Sequence, residues 1–369
     1  WKNGLLGYHP TEHQNDYFSH SEECYQQLKS IQEYWKGNDV LAKLMPLLSE
    51  EEIAGSQFGN GVFFADGYTT CAPVTWASTR NACFKNLGLA GRHSSGKSWT
   101  KWTSLSATDP EDQKRMIALK AALICNEAAT DMILRYADKA QELAQAEADE
   151  TRKQELLAIE ANCRQVASGT PETFWQALQA LHFAHTLVQM ESNGHSISYG
   201  RFDQFMYPYF KADIESGYMT REQMQELIEN FNIKIWDMNK VREHHTVRIF
   251  ANGGIGGPAL TVGGLKADGT DGTNELSFMF LDAVAHTRIP TPWTAVRLHA
   301  NTPRELLVKT ANLIRLGLGE PKIFNDDVTI PTMIANGRSV EDARNYQVVG
   351  CVGTGRHRQG IRLARRRLL

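Results

Sequence analysis

Apolar residues recur at helical spacing over long stretches of the chain. Residues 108–167 are rich in Ala, Leu, Glu and Gln, and Asp109-Pro110-Glu111 is a typical helix start. Beyond Pro171, four apolar residues share one helical face: Phe174, Leu178, Leu181 and Val188. The pattern predicts helices in both regions, and also within residues 12–57 and over residues 220–239.

Three short runs between these helices have the composition of β-strands. They span residues 246–250, 259–262 and 294–298, and a glycine-rich loop at residues 252–258 follows the first of them. Strands that alternate with long helices are typical of a mixed α/β fold in which the strands lie inside. We therefore expect an α/β architecture surrounded by helices.

Two stretches depart from this pattern. Residues 71–103 lose the helical period and carry a run of Ser, Lys and Arg, while residues 353–369 are rich in Arg without being amphipathic. The remainder is ordinary for a globular protein, with 42% hydrophobic and 22% charged residues and a net charge of −3. This balance predicts no attraction to nucleic acid or to a membrane surface.

Six cysteines are scattered along the 369 residues without a CxxC pair or the spacing of metal ligands. This usage predicts a reducing, cytoplasmic location and no metal site. No secretory signal is visible, and no apolar run approaches the roughly 20 residues that span a bilayer. Because the chain begins with Trp1 rather than Met, we expect a fragment or a processed form.

Several polar segments are candidates for a site. Residues 191–198 follow a predicted helix, and their His195 and Ser196 could bind a small polar substrate, although a helix end and a turn would also explain them. The segment Asn325-Asp326-Asp327 favours a helix cap over a pocket edge. Residues 268–275 miss the spacing of a calcium loop, and they predict a turn in which Thr273 caps the next helix.

A lone cysteine stands in a small apolar turn near the end of the chain, Val348-Val349-Gly350-Cys351-Val352. Together with residues 191–204, 261–274 and 289–292, this turn resembles the glycyl radical enzyme family. The resemblance is strongest to its dehydratase and lyase branch, and it runs from about residue 104 to Val352, with a weaker match over the first 70 residues. It implies part of a ten-stranded α/β barrel, made of two antiparallel five-stranded halves and wrapped in helices.

The resemblance also implies roles for particular residues. Cys351 matches the cysteine that becomes a thiyl radical and takes hydrogen from a small substrate, after which a neighbouring C–O, C–N or C–S bond breaks. His195 and Ser196 would contact that substrate. The family's general base lies two residues after the cysteine, where this chain has Gly353.

The same resemblance implies what the protein works with. The family uses no bound cofactor. Its radical is stored on a backbone glycine near the C-terminus of a much longer chain, and no matching glycine segment occurs here. A radical S-adenosylmethionine activase with an iron–sulfur cluster installs the radical, so that activase and a small substrate are the expected partners of a full-length homodimer in anaerobic metabolism.

The two irregular stretches can be read as shifts of the reading frame. Residues 353–369 can be encoded by DNA that, read one nucleotide later, gives EPDAIGKEYGWHDAA, which restores the expected glutamate at position 353. Comparable shifted readings exist within residues 71–103. We therefore expect residues 1–352 to be the N-terminal part of one domain and residues 353–369 to be an out-of-frame tail.

Three alternatives remain open at the level of sequence. Residues Gly91–Ser98 match the phosphate-binding P-loop pattern, with Lys97 as its lysine, but no apolar strand precedes them. The Arg-rich tail could be a nucleic-acid arm. The chain could also be a non-catalytic fragment.

Overall fold

The computed structural model describes residues 21–38, 46, 49, 105–106, 108–191, 197–238, 258–350 and 353–356. Its helices are α1 (Glu22–Trp35), α2 (Pro110–Ala146), α3 (Glu150–Ser168), α4 (Phe174–Glu191), α5 (Phe202–Phe205), α6 (Tyr207–Ser216), α7 (Arg221–Trp236), α8 (Glu275–Thr287), α9 (Arg304–Ile314), α10 (Asp326–Ala335) and α11 (Val340–Arg344). Its strands are β1 (Gly200–Arg201), β2 (Ala259–Gly263), β3 (Trp293–Leu298), β4 (Lys322–Asn325), β5 (Tyr346–Val349) and β6 (Gly353–Arg356).

The helix starts follow from capping chemistry. Asp109 accepts hydrogen bonds from the backbone N–H groups of Glu111 and Asp112, with Pro110 at the first helical position, as predicted. Thr220 forms a capping box with Gln223 at the start of α7. The prediction for Thr273 was wrong, because Asn274 caps α8 by accepting from the N–H of Leu276.

The predicted helix over residues 108–167 is two helices. The chain breaks at residues 147–149, where Asp149 caps α3 by accepting from the N–H of Arg152. The helices α2 and α3 then pack together around a small apolar cluster that includes Ile133, Cys163 and Phe183. The segment beyond Pro171 becomes helical at Phe174, as α4.

Strands β1 to β4 form one parallel sheet in sequence order. The predicted strands at 259–262 and 294–298 are confirmed as β2 and β3, while the predicted strand at 246–250 lies outside the described residues. Parallel neighbours need crossover connections, and in this chain helices provide them, with α8 between β2 and β3 and α9 between β3 and β4. The α/β class is therefore confirmed.

The two faces of this sheet differ in composition. Leu260, Val262 and Val296 belong to the main core, where they lie among residues of α4 and of α5 to α9. The alternating residues Ala259 and Ala295 belong to a second cluster, which contains Tyr346 and Val348 of β5. The sheet thus carries α4 to α9 on one face, and the β5–β6 hairpin together with residues of α10 and α11 on the other.

Strands β5 and β6 pair in antiparallel fashion, with Val349 opposite Gly353 and Gln347 opposite Gly355. Residues 350–352 join the two strands, so Cys351 occupies the middle of a three-residue connection. Cys351 itself lies outside the described residues, as do His195 and Ser196. Gly350 has a φ of +61°, a conformation that glycine adopts without strain.

Strand β4 forms one edge of the described sheet, and Ile323 on it is 51% exposed. Other exposed apolar side chains on the neighbouring elements are Leu307, Val308, Ile314, Leu316 and Val328. An uncovered strand edge of this kind can pair with a further strand. No helix in the described ranges has the combination of length and apolarity needed to cross a membrane.

Candidate functional site

The cysteine turn is held to the sheet by two hydroxyl side chains. Ser198 Oγ accepts hydrogen bonds from the N–H of Gly350 and from the N–H of Ala259, both at 3.0 Å. Thr261 Oγ1 accepts from the N–H of Val348 at 3.1 Å. These bonds attach β5 to the start and the middle of β2, and they end one residue before Cys351.

Ser198 also links two predicted parts of the site that are far apart in sequence. It lies two residues after Ser196, and it contacts Gly350, which is 152 positions further along the chain. The structure therefore brings Ser198 and Gly350 together, while His195, Ser196 and Cys351 lie outside the described ranges.

A buried histidine fixes the residues just after that segment. His185 Nε2 lies 2.8 Å from the carbonyl oxygen of Ile197, and His185 Nδ1 lies 2.8 Å from the hydroxyl of Tyr199. Since a carbonyl only accepts, the proton is on Nε2, and the Tyr199 hydroxyl donates to Nδ1. The two rings stack with their centroids 4.2 Å apart, and burial raises the pKa of Tyr199 well above its ordinary value.

A buried ion pair supports the base of the hairpin. Arg297 Nε and Nη2 donate to the two carboxylate oxygens of Asp326 at 2.8 and 2.7 Å, and both side chains are fully buried. The guanidinium also donates to the carbonyl oxygens of Arg344 and Tyr346, each at 2.7 Å. These bonds fix the backbone where α11 leads into β5, five to seven residues before Cys351.

Tyr346 completes this cluster from the strand itself. Its hydroxyl donates to Asp326 Oδ1 at 2.8 Å, and its ring lies 3.8 Å below the guanidinium carbon of Arg297. Burial raises the pKa of Tyr346 well above its ordinary range, so it stays a neutral donor. The carboxylate of Asp326 also accepts from the N–H of Leu265 at 2.8 Å, which extends the cluster to the loop after β2.

A second buried arginine lies at the end of β1. Arg201 donates to the carbonyl oxygens of Gly263 and Leu265 and to Asn345 Oδ1, at 2.9, 2.8 and 3.0 Å. Burial, and then the charge of Arg297, lower the pKa of Arg201 to about 9. Its donors are directed at two backbone carbonyls and at the side chain of Asn345, so Arg201 connects the loop after β2 to the segment before β5.

The predicted site residues can now be placed. Of the predicted site residues, Gly353 is the one that lies within the described ranges. It begins β6, opposite Val349, and is exposed. The cap at Asn325 is confirmed, since it accepts from the N–H of Asp327 at 2.9 Å. The sequence reasoning missed the roles of Arg297, Asp326 and Ser198. Arg297 is the one charged residue in the predicted strand at residues 294–298, and a charge within such a strand was the sequence signal for a buried ion pair.

The described residues contain no group of acidic, histidine or cysteine side chains arranged to hold a metal ion. The P-loop candidate Gly91–Ser98 lies outside the described residues. The described geometry therefore fixes Gly350, the residue before Cys351, beside Ser198 through a hydrogen bond.

Comparison with known proteins identifies the family. The model of the pyruvate formate lyase-like family matches residues 2–364. The chain belongs to this family. The resemblance to glycyl radical enzymes drawn from its sequence motifs is confirmed.

The similar proteins include dehydratases. The chain is 40% identical over 342 residues to (2S)-3-sulfopropanediol dehydratase of Klebsiella oxytoca, which covers 92% of this chain and 41% of that protein. It superposes with a TM-score of 0.81 and 34% identity on the glycerol-bound, B12-independent glycerol dehydratase of Clostridium butyricum, over 92% and 42% of the two chains. A glycyl radical enzyme from Archaeoglobus fulgidus gives a TM-score of 0.84 at 26% identity, over 96% and 46%.

The chain therefore has the fold of the corresponding part of the glycyl radical enzymes, which includes the parallel sheet and the hairpin on one of its faces. The chain spans about two fifths of the length of these relatives.

Proposed function

We propose that the protein acts as a glycyl radical dehydratase, in which Cys351 carries a thiyl radical that acts on a small hydroxylated substrate. The activity belongs to the whole protein, because this chain spans 41% of the length of the sulfopropanediol dehydratase that it resembles. The observation that supports the proposal is the hydrogen bond from the N–H of Gly350, the residue before Cys351, to Ser198, which lies two residues after Ser196. His195 and Ser196 would contact the substrate.

The proposed reaction converts a vicinal diol into an aldehyde and water. The Cys351 sulfur radical takes a hydrogen atom from a hydroxyl-bearing carbon, so an S–H bond forms and a C–H bond breaks. A base takes the proton of that carbon's hydroxyl group, and the neighbouring C–O bond breaks as the second hydroxyl leaves, with a proton, as water. The thiol returns its hydrogen atom to the product radical, which regenerates the thiyl.

Position 353 is where the proposal places that base. As written, this position is glycine, and a Cβ built there would approach the carbonyl oxygen of Val349 to 3.0 Å. The contact is tight, so a glutamate would need a shift of a few tenths of an ångström in the strand. We propose that residues 353–369 are an out-of-frame tail and that the natural residue 353 is glutamate, while residues 1–352 form the N-terminal part of one domain.

The proposed partners follow from the radical. A radical S-adenosylmethionine activase with an iron–sulfur cluster would install the radical on a glycine of the whole protein, which would work as a cytoplasmic homodimer. The relatives suggest a substrate with adjacent oxygen substituents, since their names include dehydratases of glycerol and of sulfopropanediol.

The decisive test activates the full-length protein anaerobically and records its electron paramagnetic resonance spectrum. A glycyl doublet, followed by aldehyde formation from (2S)-3-sulfopropanediol, glycerol or 1,2-propanediol, is the expected result. Failure to form the doublet with a competent activase would overturn the proposal. Sequencing the DNA across codons 350–369 tests the frame shift separately, and error-free, in-frame codons would refute it.

A further inference from the structure

One buried histidine connects the chain on the two sides of the proposed substrate contacts. His185 lies in α4, which ends at Glu191. The proposed contact residues His195 and Ser196 lie in the connection between that helix and Ile197. His185 is fully buried, and its Nε2 lies 2.8 Å from the carbonyl oxygen of Ile197, the residue directly after Ser196. A single side chain therefore joins the two ends of the connection that contains both proposed contacts.

The place of His185 within α4 makes this connection a closed loop. Glu191 is six positions after His185, which corresponds to about 9 Å along a helix axis. The chain leaves the helix at Glu191, so it must return alongside the preceding turns for the Ile197 carbonyl to meet the His185 ring. This one hydrogen bond therefore sets where residues 192–196 end relative to the helix.

The residues that follow Ile197 are held by the sheet. The N–H of Tyr199 donates to the carbonyl oxygen of Ala259 at 2.8 Å, and the N–H of Ala259 donates to Ser198 Oγ at 3.0 Å. The backbone after Ile197 is thus attached to β2, while the Ile197 carbonyl itself is attached to α4 through His185. Removing the His185 donor would release the Ile197 carbonyl and leave the bonds to β2 in place.

Tyr199 determines which nitrogen of His185 carries the proton. The Tyr199 hydroxyl lies 2.8 Å from His185 Nδ1, and the two rings stack with their centroids 4.2 Å apart. A neutral imidazole has one N–H, and its position is set by the hydrogen bond made at the other nitrogen. A hydroxyl that donates to Nδ1 keeps the proton on Nε2, where the Ile197 carbonyl needs a donor. Tyr199 and His185 therefore act as a pair on the backbone beside Ser196.

We infer that His185 is a positioning residue, which holds the backbone next to Ser196 so that His195 and Ser196 are ordered before the substrate binds. The inference rests on the proposed function and extends it to a residue that does not touch the substrate. A site whose groups are ordered in advance avoids the entropic cost of ordering them on binding. Loss of the bond to Ile197 should therefore weaken substrate binding, in addition to any loss of stability.

Two amide variants of the full-length protein separate the two bonds of His185. The glutamine Nε2 can take the place of the histidine Nε2, so His185→Gln keeps a donor for the Ile197 carbonyl. Asparagine reaches only the Nδ1 position, so His185→Asn keeps an acceptor for the Tyr199 hydroxyl and loses the bond to Ile197. Leu281→Ala is the control, because Leu281 is also fully buried but lies in the main core, where its truncation lowers stability without removing a hydrogen bond.

The probe is 1,2-propanediol. Its apparent affinity for the unactivated protein comes from the ligand-dependent shift in melting temperature, and KM and kcat are measured after activation. His185→Asn should bind the diol about tenfold more weakly and raise KM by the same factor, as expected from losing one hydrogen bond, with kcat within about twofold of wild type. His185→Gln and Leu281→Ala should keep the wild-type KM, although all three variants should melt at a lower temperature.

An unchanged KM in His185→Asn, or an equal rise in His185→Asn and His185→Gln, would overturn the inference. Tyr199→Phe gives a second comparison if His185→Asn does not fold, because it keeps an aromatic ring and removes only the hydroxyl that holds the proton on Nε2. It should raise KM by about twofold or more. An unchanged KM in Tyr199→Phe would then count against the positioning role.

The radical doublet and turnover of wild type decide the proposed function separately. If wild type turns over the diol and His185→Asn keeps the wild-type KM, only the inference about His185 fails. If diol binding depends on His185 but no radical forms with a competent activase, the positioning role holds and the proposed radical chemistry fails. Absence of diol binding by wild type would overturn the inference.

Discussion

The two faces of the parallel sheet use different interactions. The helix-facing side buries large apolar residues such as Leu260, Val262 and Val296 in the main core. The opposite side carries small residues together with Thr261 and Arg297, whose polar atoms bind the backbone of β5. One face stabilises the fold through non-directional burial, and the other sets the position of a single hairpin through directional bonds.

The largest expected effect comes from breaking the ion pair on the hairpin side. Arg297→Met leaves the Asp326 carboxylate buried without its cation, and should cost roughly 3–5 kcal/mol of unfolding free energy. Denaturant unfolding measures this loss, with the exposed Arg315→Met as the control, expected to change stability by less than about 0.5 kcal/mol. A loss below about 1 kcal/mol for Arg297→Met would contradict the role given to the pair.

Leu260→Ala tests the helix-facing side. Removing a fully buried leucine side chain should cost about 3 kcal/mol through lost burial and the cavity that remains. Because Leu260 is on the face away from the hairpin, hydrogen exchange at the amides of Val348 and Gly350 should accelerate only as much as global unfolding does. Selective loss of protection in the hairpin would show that the two faces are not separable.

Ser198→Ala tests the hydroxyl that holds the turn. The N–H groups of Gly350 and Ala259 lose their acceptor, with an expected cost of about 2 kcal/mol, and exchange at Gly350 should accelerate more than exchange elsewhere in β5. The exposed Ser168→Ala is the control and should leave the Gly350 amide unchanged. Equal acceleration throughout the protein would argue against a local role.

Thr261→Val should have the smallest effect. The substitution keeps the shape of the side chain and removes one acceptor, that of the Val348 N–H, so about 1 kcal/mol should be lost. Native-state hydrogen exchange at Val348 reports the change directly. An unaltered Val348 amide would mean that this bond does not hold the strand.

The helices and strands were the more predictable part of the protein. Capping at Asp109 and Thr220 depends on residues adjacent in sequence, so local chemistry is sufficient to predict it. Asn274, and not the predicted Thr273, caps α8, because the asparagine side chain accepts from the N–H of Leu276. A one-residue difference of this kind depends on the packed geometry.

The contacts around the site were not predictable in the same way. Arg297 and Asp326 stand 29 residues apart, and Ser198 and Gly350 stand 152 apart, so only the crossover topology brings them together. Sequence motifs predicted the role of the cysteine turn, through the family resemblance, and that role stays a prediction.

The most direct test compares two cysteines in the activated, full-length protein. Cys163 is buried between α2 and α3, where burial raises the pKa of its thiol to about 11, so Cys163→Ala should keep both the radical doublet and diol dehydration. Cys351→Ala should keep the doublet and lose dehydration, because the glycyl radical no longer has a thiol through which to reach the substrate. Dehydration at the wild-type rate in Cys351→Ala would contradict the central claim that this turn carries the reacting sulfur.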